Sequence, residues 1–574
     1  MKLDWKPKDN DYASFRLSHG MQSNPGVNNF PLFYNSFSLS PFQNEVINWT
    51  HTFSPTLVND ARFGVNNVLN YNGGADKGLS NIALNAGIAA AGPGLLSLQG
   101  MTYVSSIGNA NIGAQQVFAN TAFHYADNMT LIRGRHMMKF GGQALREWLN
   151  IFYAGNNGRT GYIAFDGRFS TENAVNPSGT LLGEADFMMG LPDDVGRGLQ
   201  SGTWGQRSTI WGLYFQDDRR ATNALTLNLG LRWEYHTPWV EVDNRQANFG
   251  MFSGQLELAA PLPSGLAAPP GPAPLVESNR ALYNAFKKDF QPRIGFAYTP
   301  DMLSKKLVFR GSYTISSCLE GTGTNLRLTL NPPYEQEFED NYNIAGTQYE
   351  MPGSTLDQGL SILNPKNPYA GATIRLWDPD VRPAIVQQWN MTSEYEFKGG
   401  NVLTVGHVGQ HGTHLMVAMP YFQNEIVNGQ VVTGPYLSGN PVLRSEIGQI
   451  SGTCSSAKQK YNALQATMHK RFSIRLSYQV AFTWSRGMSD SIGYYGQDAQ
   501  AGSQSAYWQN LFNQQSEFGP TYFDKKFNLV PSFVYAVRPR PQDGRALEQG
   551  RRCGSGRQAT GGHLHLSHGL PVDH

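Results

Sequence analysis

Residues 208–238 read STIWGLYFQDDRRATNALTLNLGLRWEYHTP, and the second half alternates with a period of two. Leu225, Leu227, Leu229, Leu231, Trp233 and Tyr235 fall on one face; Thr226, Asn228, Gly230, Arg232 and Glu234 fall on the other. Successive side chains of a strand point to opposite faces, so this run is a strand with one greasy and one polar side. Its length, about eleven residues, is what a tilted strand needs to cross a bilayer. Aromatics close the run, where an interfacial girdle would lie. Upstream, Trp211, Leu213 and Phe215 alternate with Gly212, Tyr214 and Gln216, and the polar segment DDRRATNA (217–224) is expected to be the turn. One such hairpin fits a soluble sandwich equally well.

The rest of the chain repeats the unit. Residues 2–5 and 12–18 flank KPKDND, and residues 46–53 and 57–65 flank SPT. Leu57, Asn59, Ala61, Phe63 and Val65 share a face, so alternation is imperfect there. Phe123, Tyr125, Asp127, Met129 and Leu131 run down to RGRH, and Met138, Phe140 and Gly142 run back. Later pairs are Ile294–Phe296–Tyr298 with Leu307–Phe309–Gly311–Tyr313–Ile315, and Trp389 to Phe397 with residues 401–410. Leu464, Ala466 and Met468 pair with Leu476, Tyr478, Val480, Phe482 and Trp484, and a last strand lies at 527–535. These make roughly seven hairpins and about fifteen strands. Connections alternate strictly between short ones of about three to eight residues and long ones of about twenty to seventy, the segregation of a transmembrane barrel with short periplasmic turns and long extracellular loops. A propeller would repeat at a fixed period. The expected fold is therefore all-β, a transmembrane antiparallel β-barrel. The Pro-rich segment LAAPLPSGLAAPPGPAPLV (258–276) is expected to be extended loop.

Composition agrees. The chain has 574 residues, only 15% charged but 12% aromatic, with 62 Gly and 3 Cys. Net charge is +2 with the two signs interspersed, so nucleic acid is not an expected partner. Cys318, Cys454 and Cys553 lie far apart, without metal or disulfide spacing. No run of eighteen apolar residues suggests a transmembrane helix, and MKLDWKPKDNDY lacks the apolar core of a signal peptide.

The phrases WGLYFQDDRRATNALTLNLGLRWEYHTP, NWTHTFSPTLVNDARFGVN, IRGRHMMKFGGQ, FQPRIGFAYTP and YNALQATMHKRFSIRLSYQVAFTWSRG together resemble the barrel of TonB-dependent outer-membrane transporters. The resemblance spans residues 1–536 and is nearest to the Oar-like branch, whose full members carry a carboxypeptidase-regulatory-like domain. It implies a 22-stranded barrel with an N-terminal plug, importing bulky ligands with energy from the TonB complex. On that reading the chain holds about strands 2 to 16, with the plug and signal peptide absent. Such a partial barrel is expected to be unstable alone or to need a partner fragment, because unpaired edges are not tolerated in lipid. Residues 537–574 have no alternation and are rich in Arg, Gly and His; they are read as a non-barrel basic tail, with a reading-frame shift as the preferred cause. Expected partners are outer-membrane lipid, the barrel-assembly machinery, and the TonB complex only if a plug segment is supplied.

Catalytic signatures are weak, and neither enzyme activity, a cofactor nor a metal site is expected. His411 and His414 of GQHGTH stand at i, i+3 in what reads as a Gly-rich loop, without the helix a zinc motif uses. Asp9 and Asp11 lack the Gly and Glu of a calcium loop, Asp217 and Asp218 are placed in a turn, and there is no nucleophile elbow. Asn228, Arg232, Glu234 and Arg310 are expected to face the barrel lumen, as a wet wall or as salt bridges to a plug rather than as ligand contacts. Tyr494, Tyr495, Tyr507 and Trp508 are candidate loop aromatics for stacking on sugars or rings. Two rivals remain: a non-transporting surface structural or adhesive barrel, and a soluble all-β carbohydrate-active protein.

Overall fold

Alternation becomes a single continuous wall. In the computed structural model, fifteen antiparallel strands among the described residues pair each with the next in chain order. They are β1 (Lys2–Lys8), β2 (Asp11–Asn24), β3 (Ser36–Ser54), β4 (Leu57–Gly74), β5 (Gln116–Arg133), β6 (His136–Tyr153), β7 (Trp204–Arg220) and β8 (Leu225–His236). These continue as β9 (Asp289–Tyr298), β10 (Leu307–Cys318), β11 (Ala384–Phe397), β12 (Asn401–Met419), β13 (Gln449–Ser473), β14 (Leu476–Ser489) and β15 (Phe527–Ala536). Five shorter strands complete this 20-stranded sheet. The structure describes residues 1–26, 33–34, 36–74, 80–91, 94–101, 106–109, 116–155, 157–171, 181–251, 253–319, 328–341, 355–361, 367–421, 423–432, 440–473, 476–491, 508–536, 559–563 and 566–568.

Register keeps the greasy residues together. Leu213 lies opposite Trp233, Phe215 opposite Leu231, Leu229 opposite Ile294 and Leu464 opposite Trp484. The face so built stays open: Leu213 is 60% and Ile294 54% exposed. Exposed apolar area of this extent marks a surface that meets a membrane or another protein. Aromatics bound it at both ends. Trp389 and Phe397 of β11 stand eight steps apart, about 27 Å along the strand and about 21 Å along the normal at a 40° tilt, comparable to the apolar band of a membrane barrel.

The tight turns sit at one end. In KGG, the three-residue link between the paired Phe397 and Asn401, Gly399 and Gly400 have φ of +82° and +73°, left-handed values that Gly adopts without strain. DDRR is not part of a turn, as the sequence suggested. β7 runs on to Arg220, because Asp217 and Asp218 continue the ladder opposite Leu229 and Asn228. The strands also outrun the segments of clean alternation, β13 reaching 25 residues. Beyond the lipid zone both faces are covered by other chain segments, as where Trp204 of β7 and Ile151 of β6 are buried beside Trp239 and Leu330. Nothing there enforces a polar side.

The long connections build a second body rather than structureless loops. A six-stranded sheet runs in the order Glu335–Asn341, Asp194–Gln200, Tyr162–Ala164, Ser97–Gln99, Ser106–Asn109, Phe33–Tyr34, drawing on four different connections. Ile163, Phe165, Val195, Phe338 and Leu360 form its core. The Pro-rich segment is pinned at both ends, where Leu275–Val276 pairs with Leu256–Leu258. Among the described residues no helix is long and apolar enough to cross a membrane, which says nothing of strands. Of the basic tail, residues 537–558 lie outside the described residues, while Ala559–His563 and Leu566–His568 pair antiparallel with β15. An edge strand with open N–H and C=O groups is a template for such pairing.

Candidate functional site

Period two sends every second residue of β8 to the polar face. Asn228 donates to Asp218 Oδ1 at 2.6 Å across the hairpin. Arg232 Nε donates to Glu234 Oε1 at 2.7 Å. The guanidinium lies over Gly212, where a Cβ would stand 2.6 Å from Arg232 Nη2, so the glycine makes room for it. Arg310 of β10 pairs with Glu394 of β11 at 3.3 Å. That pair is half exposed and contributes little. The four residues share one face but not one site: only Arg232 and Glu234 touch.

Around Glu234 the polar face is densely bonded. Glu234 lies opposite Asp289 in the register of β8 and β9. Gln291 Nε2 donates to Glu234 Oε2 at 3.0 Å and to Ser317 Oγ at 2.8 Å. Ser317 Oγ in turn donates to Asp289 Oδ2. His236 brings Nε2 to 3.6 Å from Glu234 Oε2. Glu234, His236 and Asp289 thus each offer a ligand atom within 4.8 Å of the others. Asp289 is 3% exposed and the His236 side chain 11%. The set lies at the rim, where the last turn of alternation in β8 meets Thr237 and the first residue of β9.

Sequence reading missed His236, Asp289, Gln291 and Ser317, and with them a possible metal set. The available signal was parity: His236 extends the even series of β8, and Asp289, Gln291 and Arg293 alternate with Phe290. The spacing within either strand alone matches no metal motif. His411 and His414, expected in a loop, instead lie within β12, where the ladder shifts register between Gly412 and Leu415 and His414 takes φ +59°. His414 is held by Arg382 and Thr413, not by His411. Tyr494, Tyr495 and Tyr507 lie outside the described residues. Trp508 is no open stacking platform: it is 5% exposed, packed among Tyr369, Val417 and Ile450, and donates Nε1–H to the Asp490 carbonyl at 2.7 Å.

The apolar face carries polar groups of its own, bonded to one another across strands. Asn59 Nδ2 donates to Asp127 Oδ1 at 2.6 Å. Asp11 Oδ1 bonds His51 Nδ1 at 2.7 Å and accepts from Trp49 Nε1 at 3.2 Å. His136 Nδ1 bonds Asp217 Oδ2 at 2.7 Å. The imperfect alternation at Asn59 and Asp127 is therefore a matched pair.

A family model described as an outer membrane beta barrel domain matches residues 1–549. No curated protein sequence matches the chain. Among solved structures, the chain is similar to the outer membrane transporter YddB from Escherichia coli, with 9% identity and a TM-score of 0.55, over 93% of this chain and 53% of that one. It also matches FpvA of P. aeruginosa, with 11% identity, a TM-score of 0.45 and coverage of 94% and 52%. The ferric-catecholate import receptor Fiu from E. coli K12 matches with 11% identity, a TM-score of 0.43 and coverage of 94% and 61%. Such identities speak to the fold alone, and only the first score is high enough to carry that argument. The chain spans about half the length of the structures it matches.

Proposed function

The chain belongs to the outer membrane beta barrel domain family, and from that premise we propose that residues 1–536 are barrel wall of an Oar-like, TonB-dependent transporter for a bulky ligand. The observation that carries this is the predominantly apolar, exposed face across consecutively paired strands, backed by a polar face. The fold likeness to an outer-membrane transporter supports it. Among the described residues fifteen long strands form the wall, against the 22 that the resemblance implies, and of residues 537–574 Ala559–His563 and Leu566–His568 pair with its last strand. Asn228, Arg232, Glu234 and Arg310 face the lumen. Lipid covers the other side, the barrel-assembly machinery inserts the chain, and the TonB complex acts on it where a plug segment is supplied. The role is uptake without chemistry.

Two experiments test this reading. Leu229→Cys in outer-membrane preparations should react with a lipid-soluble maleimide and not with an impermeant one, and Asn228→Cys should do the reverse; equal reactivity would overturn the wall assignment. In the source bacterium, loss of this gene and loss of TonB should leave the same compounds unconsumed in spent medium, read by mass spectrometry. A spent-medium profile unchanged by loss of this gene would overturn transport and favour a surface structural or adhesive barrel.

A further inference from the structure

We propose that Glu234, His236 and Asp289 form a binding site for one divalent transition cation of the zinc class, at the rim of the wall. The inference rests on side-chain geometry and not on the transport reading. Two carboxylates directly opposite each other in a ladder repel, yet Glu234 and Asp289 are paired in register on the polar face. Asp289 is almost wholly buried there. Arg232 occupies Glu234 Oε1, while Oε2 accepts from Gln291 and stands 3.6 Å from His236 Nε2. Into the same space points His236 Nε2, a buried ring nitrogen with no hydrogen-bond partner among the described residues.

The separation between His236 and Glu234 suits a metal better than a bond between the groups, and Asp289 brings a carboxylate oxygen within 4.8 Å of both. Tetrahedral ligands about 2.0–2.1 Å from zinc stand about 3.3–3.5 Å apart. His236 Nε2 and Glu234 Oε2 stand 3.6 Å apart, too far for a hydrogen bond and within a few tenths of that spacing. One imidazole with two carboxylates selects a borderline cation over calcium or magnesium, which prefer all-oxygen shells. Three protein ligands leave a fourth position for water or an incoming ligand group. Gln291 and Ser317 supply the outer shell by bonding the carboxylate oxygens, the arrangement that orients ligands in metal sites.

The test uses the full chain in detergent micelles, with cobalt(II) as a visible probe and zinc as its competitor. One cobalt per chain should give a d–d absorption band that zinc displaces. His236→Gln and Asp289→Asn should each weaken binding at least about 100-fold, and Ser317→Ala about 10-fold. His411→Gln and His414→Gln should leave the band unchanged. Cobalt uptake by the wild type no greater than by His236→Gln would overturn the site, as would an equal loss in His411→Gln. X-ray absorption on the zinc-loaded wild type needs no variant to fold. A shell of one nitrogen and at least two oxygens near 2.0–2.1 Å supports the proposal, and two or more histidine nitrogens overturn it.

Discussion

Two strands of this molecule carry Leu or Ile at every second position and live in different solvents. In LNLGL of β8, Leu229 is 43% exposed. In TIRLW of the strand Thr373–Trp377, Ile374, Leu376 and Trp377 are all fully buried, in the cores formed by the long connections. Alternation therefore reports a strand with one apolar side; it does not report what that side meets. In the wall the apolar side has no protein opposite it and is stable only against lipid. In the connection region it meets other connections, and water is excluded from both sides.

The contrast is sharpest for a large buried side chain. Trp377 packs against Tyr283 with ring centroids 4.9 Å apart, so Trp377→Ala should cost about 3–5 kcal/mol of connection-region stability, read by limited proteolysis in urea. Trp211→Ala on the wall should barely move the same midpoint in detergent. Equal losses would erase the distinction between the two regions.

A comparable effect is expected from pH in the connection region. Burial, with Asp166 and Asp194 nearby, pushes the Asp193 carboxyl up from its ordinary 3.8 to about 7. The folded state holds that proton more tightly than the unfolded chain. The stability it contributes is thus full below about pH 4 and is lost as pH rises through about 7, roughly 4 kcal/mol at the limit. Asp193→Asn should flatten this slope; an unchanged pH profile would show that Asp193 is not its source.

Next comes the wall itself. Leu229→Arg should cost about 2–4 kcal/mol in a lipid-assembled protein, and Asn228→Arg close to nothing. Unfolding in vesicles measures both, and equal effects would break the assigned register. Smallest is the polar pair on the apolar face. Asn59→Leu strands the Asp127 carboxylate and should cost about 1–3 kcal/mol, whereas removing both partners should recover most of it. Additive losses in the double variant would mean the pair does not interact.

Much of the wall was legible because lipid imposes a rule on consecutive residues. Every hairpin read from period two, from 2–18 to 464–484, is present, and the closing aromatics are where alternation put them. Misreadings cluster where that rule stops. DDRR reads as a turn because four charged residues end a greasy run, but backbone pairing does not depend on side-chain polarity. His411 and His414 read as loop because Gly-rich sequence hides a strand whose two sides are no longer distinguished.

The sequence by itself determined the core of the wall: which hairpins form and which side of each strand is apolar. Within each hairpin the two strands are joined by a short link, so their pairing follows from local order. Only the tertiary structure decided the six-stranded sheet, its core, and the meeting of Glu234 and His236 with Asp289. Those contacts join segments separated by long connections, and their partners are chosen by packing in three dimensions rather than by any periodicity along the chain.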